Sequence, residues 1–188
     1  MGKIVVTEFV SLDGVVEDPG GSEDFKYGGW TFEYDRGDEG NKFKLDETMS
    51  SDALLLGRVT YEGFADAWPS REGEFAEKFN TMPKYVVSST LENPEWTNST
   101  VINGADLAAA TEKLKQEHSG DVVVHGSIQL VQSLLEQDLV DELRLMVFPV
   151  VLGTGKRLFG ETSEKKPLKL AESKTVGDGV AILTYRRA

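Results

Sequence analysis

The chain has 188 residues, 39% hydrophobic and 28% charged, which supports a globular domain with its own core and excludes a disordered chain. Cysteine is absent and the only histidines are His118 and His125, so a disulfide framework, a thiolate metal site and a histidine-rich metal centre are all excluded. A net charge of −12 argues against nucleic acid and anionic membrane as partners; any anionic ligand must be held by local basic residues and backbone N–H groups.

Lys3 to Val10 alternates apolar and polar residues and predicts a strand ending at Ser11-Leu12-Asp13-Gly14. Its approach straight from the first residue, without a basic segment and a long apolar run, lacks the pattern of a signal peptide. No stretch approaches the roughly 20 apolar residues of a membrane span. A soluble, cytoplasmic protein is expected. Residues 15–29, rich in glycine and acid, predict a long loop of the kind that forms lids and binding walls. Residues 39–51 carry Phe43, Leu45 and Met49 at helical spacing. Ala53 to Leu56 predicts a buried strand that stops at Gly57, with a short helix from Thr60 and another over 73–80. Strands are predicted at 85–88 and 101–102, and the spacing at 106–118 is that of a helix. Val122 to Val124 reads as a strand covered on both faces, followed by an amphipathic helix opened by Gly126-Ser127. Residues 143–151 are strand-like, and 168–176 with 180–186 form a closing hairpin around Gly177-Asp178-Gly179. The order predicts one α/β domain over residues 1–188, with a mainly parallel central sheet, antiparallel C-terminal strands and helices on both faces.

Such sheets bind ligands at the carboxyl ends of their strands, and four segments fall there: 11–14, 57–61, 88–90 and 125–127. Gly57 permits close approach of a phosphate, Arg58 offers a permanent bidentate charge, and Thr60 is placed to cap the next helix. Arg58 reads either as the contact to a monophosphate, such as the one distinguishing NADPH from NADH, or as an exposed arginine beside a helix cap. At His125-Gly126-Ser127, free N–H groups and the Ser127 hydroxyl suit a pyrophosphate; a plain turn capped by Ser127 explains the same residues, and His125 reads as a turn or wall residue. Ser88, Ser89 and Thr90 suit a phosphate or ribose, or simply end a strand. Asp13 reads as a contact to a substrate amide, a proton donor, or an Asx-turn residue.

The motifs SLDG at 11–14, LLLGRVTY at 54–61, YVVSSTL at 85–91, VVVHGSIQLVQSLLEQDLVDEL at 122–143 and FPVVLGTGKRLF at 148–159 follow one another over nearly the whole chain. In this order they resemble the dihydrofolate reductase-like superfamily, most of all the reductase domain of bacterial riboflavin-biosynthesis deaminase-reductases and its stand-alone relatives. The resemblance implies a three-layer fold with NADPH over the strand ends. Gly57, Arg58 and Thr60, with Ser88 and Ser89 beside them, would serve the adenosine 2′-phosphate side. Gly126, Ser127 and Ile128 would serve the pyrophosphate, and Ser11, Asp13 and Gly14 would border the nicotinamide and substrate. Where the family commonly has Gly-Gly at the phosphate turn, this chain has His125-Gly126. Trp30, with Glu33 and Asp35 after it, loosely echoes the LPW-type segment of true dihydrofolate reductases and joins the substrate-binding set. A zinc-dependent deaminase half is not expected in these residues, because it needs cysteines. The implied activity is hydride transfer from NADPH to a small polar heterocycle or its sugar-derived imine, as in reduction of 5-amino-6-(5-phosphoribosylamino)uracil, by a homodimer. Folate or pterin reduction, and a noncatalytic nucleotide-binding dimerisation module, are the alternatives.

Overall fold

Ile4 to Val6, Leu54 to Leu56 and Val122 to Val124 are apolar runs with no solvent exposure at all, as expected for parallel strands covered on both faces. They form the middle of one eight-stranded sheet in a computed structural model that describes residues 1–188. In chain order the elements are β1 (Lys3–Ser11), α1 (Gly37–Ser50), β2 (Ser51–Gly57), α2 (Arg58–Ala67), α3 (Glu74–Thr81), β3 (Lys84–Val87), β4 (Ser99–Ile102), α4 (Leu107–Glu117), β5 (Asp121–His125), α5 (Ile128–Glu136), β6 (Glu142–Phe148), β7 (Leu168–Val176) and β8 (Val180–Arg187). The sheet order is β4-β3-β2-β5-β1-β6-β8-β7. β1 to β6 are mutually parallel, and the β7–β8 hairpin adds antiparallel to β6. No helix is long and apolar enough to cross a membrane.

The helices divide between the faces. Leu107 and Leu114 of α4 and Leu130, Val131 and Leu134 of α5 pack with Ile4, Val6, Leu55 and Val124 on one face. Tyr61 of α2 and Phe79 of α3 pack with Val5, Leu54, Leu56 and Val123 on the other. Trp30, Met146, Phe148 and Ile182 continue that second layer toward the hairpin, with Phe43 of α1 beside them.

Two expectations are corrected by this packing. β1 does not expose an alternating polar face: residues 4 to 8 are all buried, Thr7 and Glu8 included. α1 forms where its apolar spacing predicts, yet it buries Gly40, Lys44, Glu47 and Thr48 and leaves Met49 45% exposed. The reason is a polar network beneath the helix. Lys44 Nζ donates to Thr7 Oγ1 at 2.9 Å and to Glu47. Arg144 reaches Glu47 at 3.4 Å, Asp121 at 2.8 Å and Glu142 at 2.7 Å. Buried ions persist only when paired in this way. Smaller differences concern element ends: α2 begins at Arg58 rather than Thr60, and β6 stops at Phe148 because Pro149 cannot donate to the ladder.

The α5 layer holds the strand-end turns in place. Leu134→Ala, which empties a site with no exposure, is expected to cost about 2–5 kcal/mol of stability, measured as a lower urea midpoint at unchanged slope.

Candidate dinucleotide-binding site

Because β3, β2, β5 and β1 are consecutive in the sheet and parallel, the four predicted segments line up along one edge. Neighbouring strands β2 and β5 send their helices to opposite faces, α2 to one and α5 to the other. A crevice between two helix N-termini results, which is the topological switch point where open α/β sheets bind ligands.

The two turns are interlocked. Gly126 and Ser127 both have left-handed backbones, with φ of 54° and 58°, a conformation rare for serine. Ser127 N donates to Thr60 Oγ1 at 2.9 Å, and Gly57 N donates to Ser127 Oγ at 2.8 Å. A Cβ at Gly126 would stand 3.1 Å from Thr60 Oγ1, so positive φ and close approach both demand glycine. Thr60 and Ser127 therefore cap neither helix, contrary to expectation; each hydroxyl braces the opposite turn. The first-turn N–H groups of α5, beginning at Ile128, have no carbonyl partner within the helix and carry its positive dipole end.

Arg58 is the first residue of α2, on the same edge. Its side chain is 44% exposed, and Nη1 sits 3.0 Å from both carboxylate oxygens of Glu62 one turn on. Such an exposed pair is weak and leaves the guanidinium able to exchange partners. Ser88 spends its hydroxyl oxygen on the Thr90 and Leu91 amides, at 3.1 and 3.0 Å, whereas Ser89 is exposed beside it.

At the end of β1 the side chains build the turn itself. Ser11 is 2% exposed; its hydroxyl donates to Asp13 at 2.6 Å and accepts from Val15 N at 2.8 Å. Asp13 also accepts from Leu152 N and Gly153 N at 3.1 and 2.8 Å, clamping the 150–158 segment over the turn. The Ser11 hydroxyl and these amides hold its carboxyl down at about 2. It is therefore ionised at neutral pH, and its bonds to Ser11, Leu152 and Gly153 brace the turn. Gly14, at φ 85°, completes the turn and leaves its surroundings open. Trp30 is 1% exposed, donates to Glu17 O at 2.9 Å and packs edge-on against Phe148 at 5.5 Å. It supports the loop wall from beneath and has no face to offer a substrate.

His125 sends its ring away from the phosphate turn, toward Phe79 at 5.3 Å and Phe64 at 6.4 Å. Burial, then Lys44, push its pKa down to about 3 despite the opposing Glu47, so it is a neutral wall residue. Burial would raise Glu47, but Lys44 and Arg144 more than offset this and the carboxylate stays charged. A groove of about 500 Å³ below α1 is lined by Glu47, Glu142, Arg144 and Arg186. Its arginines are committed to those carboxylates, leaving no spare cation for an anion. Sequence reasoning missed Glu8, which stands beside Gly126 at 7% exposure, with Oε1 lacking any partner. A carboxylate at the place of an inward apolar residue, in step with Ile4, Val6 and Val10, is the signal that could have found it.

A mainly parallel sheet with a helix layer on each face, a strand-end crevice and an antiparallel C-terminal hairpin define a dihydrofolate reductase-like α/β protein. The model of the RibD C-terminal domain matches residues 2–182, and the chain belongs to that family. It is 33% identical over 186 residues to the uncharacterized protein YwjB of Bacillus subtilis (strain 168), covering 99% of this chain and 98% of that one. Identity to YyaP of the same organism is 28% over 188 residues, covering 97% and 94%. Among solved structures, a riboflavin biosynthesis protein from Shewanella sp. PV-4 shares the fold with a TM-score of 0.78 at 21% identity, over 99% of both chains. A pyrimidine reductase-like protein from Corynebacterium diphtheriae gives 0.67 at 14% identity, over 99% of this chain and 92% of its own. RibD of Acinetobacter baumannii gives 0.68 at 15% identity; all of this chain matches 58% of that longer one.

The Asp13 clamp has a pH signature. A carboxyl with a lowered folded-state pKa stabilises the fold above its unfolded value and loses that contribution as pH falls through the folded one. Asp13→Asn is expected to melt at a lower temperature than the parent at neutral pH. The gap closes as pH falls from the ordinary aspartate value of 3.8 to about 2, read by thermal denaturation in a pH series.

Proposed function

We propose that this chain is a cytoplasmic, NADPH-dependent reductase of a small polar heterocycle of the 5-amino-6-(5-phosphoribosylamino)uracil class. The observation that carries the reading is the interlocked pair of turns, which sets the free amides of α5 beside Arg58 at a switch point between β2 and β5. These residues fit a phosphorylated dinucleotide: a glycine turn that a Cβ would fill, unpartnered helix amides for a pyrophosphate, and a bidentate cation for a terminal monophosphate.

Gly126, Ser127 and Ile128 form the pyrophosphate cradle: Gly126 and Ser127 shape its turn, Ser127 being held by Gly57 and Thr60, and the free amides begin at Ile128. Arg58 leaves Glu62 to take the 2′-phosphate, and Ser88 and Ser89 flank the adenosine side, Ser89 with its free hydroxyl. Gly14 borders the substrate on the β1 side, with Ser11, Asp13 and Trp30 fixing that wall from behind. A reduced nicotinamide bound there supplies the hydride, and the protein contributes orientation and electrostatics. The names of the relatives, riboflavin biosynthesis and pyrimidine reductase-like, favour a ribosylaminopyrimidine over a folate.

The protein acts as a homodimer in this reading. β7 is exposed along its length up to Val176 and presents Leu168 and Leu170, 38% and 49% exposed, on the face shared with Tyr185. An edge strand of this kind is a template for a second copy.

Two outcomes are expected. The protein binds NADPH in preference to NADH, and Arg58→Ala weakens NADPH roughly 10–100-fold, the worth of a charge-assisted hydrogen bond, with little change for NADH. Fluorescence titration checks this, and NADPH oxidation with ribosylaminopyrimidine against dihydrofolate then separates the two reductions. Binding of neither dinucleotide would leave a noncatalytic module. Leu170→Glu is expected to convert the dimer to a monomer in light scattering, by burying an unpaired charge at the interface.

A further inference from the structure

The alternation of β1 puts Glu8 on the α5 face together with Val6 and Val10, which pack against Leu130 and Val131. The parallel register Thr7↔His125 makes Gly126 its neighbour one step on, and the Gly126 amide is near enough to favour the charged form of its carboxyl. Glu8 is 7% exposed, and Oε1 is buried with no partner in the protein. A carboxyl without a cation beside it thus lies under the helix N-terminus that the proposed function assigns to an anion. An ionised carboxylate offers only acceptors, and it would oppose any phosphate placed there. A neutral carboxyl has one oxygen to accept the Gly126 N–H and one O–H to donate to a phosphate. Only the second arrangement removes the repulsion between carboxyl and anion.

The charged groups around it cannot reverse this. Lys44 and Glu47 of α1 lie across the sheet and are bonded to each other, and His125 of β5 is neutral. α5 has no ionisable residue before Glu136, and the β6 partner is Leu145. Arg157, from the 150–158 segment, is engaged with Asp13. Burial pushes the Glu8 carboxyl well above the usual carboxylate range; Lys44 and the Gly126 amide pull the other way with less effect, and Glu47 pushes it up further.

We infer that Glu8 must carry its proton for an anion to occupy the α5 N-terminus, so that Glu8 is a positioning residue that makes dinucleotide affinity fall as pH rises. This rests on the dinucleotide reading only for the identity of the anion. The test measures binding of NADPH, NADH and sulfate to the parent protein and to Glu8→Gln between about pH 6 and 9. NADH lacks the 2′-phosphate that titrates near pH 6, and sulfate stays fully ionised throughout. Parent affinity is expected to weaken with pH, by up to about tenfold per unit once Glu8 ionises, while Glu8→Gln stays flat. Glu8→Leu, apolar like its neighbours, is the second variant should the first not fold. Its profile is also expected to be flat, at lower affinity for want of the O–H. Parallel profiles in parent and variant overturn the inference. Sulfate binding whose pH dependence the variant abolishes, with no binding of either dinucleotide, sinks the reductase reading and upholds Glu8. No binding of any of the three overturns both.

Discussion

Ser127 joins two turns that belong to different strands and different faces of the sheet. Its amide is held by Thr60 and its hydroxyl holds Gly57, so β2–α2 and β5–α5 cannot move independently. A non-glycine residue in the left-handed region costs of order 1 kcal/mol or more and persists only where its surroundings over-determine it. Two hydrogen bonds across the crevice, together with Gly126 pressed against Thr60, do so here. What the strain achieves is direction: the chain turns sharply enough for α5 to begin with its free amides at the strand ends. Arg58 is carried to the same place by the other half of the lock.

Whether the strand-end crevice of a chain of net charge −12 can accept an anion depends on how nearby carboxylates are handled, and three different solutions are present. Asp13 is charged and saturated by amides and a hydroxyl. Glu47 is charged and neutralised by Lys44 and Arg144. Glu8 has no cation bonded to it, and burial opposes its ionisation. Only the first two are structural in the ordinary sense, since their partners fix them permanently. Glu8 alone can change state without losing a partner, which is why it is the group able to sense what binds beside it. Arg58 and Glu62, both half in water, form the opposite case of a pair loose enough to be traded for a ligand.

The sheet and its strand ends were readable in advance, because fully buried parallel strands appear as apolar runs and stop at glycine or serine. Fold class, element order and the alignment of four segments on one edge follow from that. The polar side chains were not readable, because their partners come from distant elements. Phe43, Leu45 and Met49 announced a helix but not which side it buries; that was decided by Thr7 on β1 and Arg144 on β6. Thr60 sat where a cap is expected, and nothing local reveals that its hydroxyl belongs to Ser127. Nothing near Asp13 in the chain reveals that the amides of Leu152 and Gly153, far along it, come to its carboxylate. Trp30 matched a motif loosely and proved to be core.

The same geometry accounts for His125 beside the turn. His125 is the last residue of β5, and the pleat directs its side chain to the α2–α3 face, between Phe64 and Phe79. The phosphate-facing amides belong to the residues after it. Gly126 is a different matter, since positive φ and the 3.1 Å approach to Thr60 leave no room for a Cβ. Of the two positions, one is constrained by backbone conformation and the other only by what its face of the sheet will accept. A histidine kept neutral by burial satisfies the second requirement without touching the first, so the left-handed turn at Gly126 and Ser127 is undisturbed.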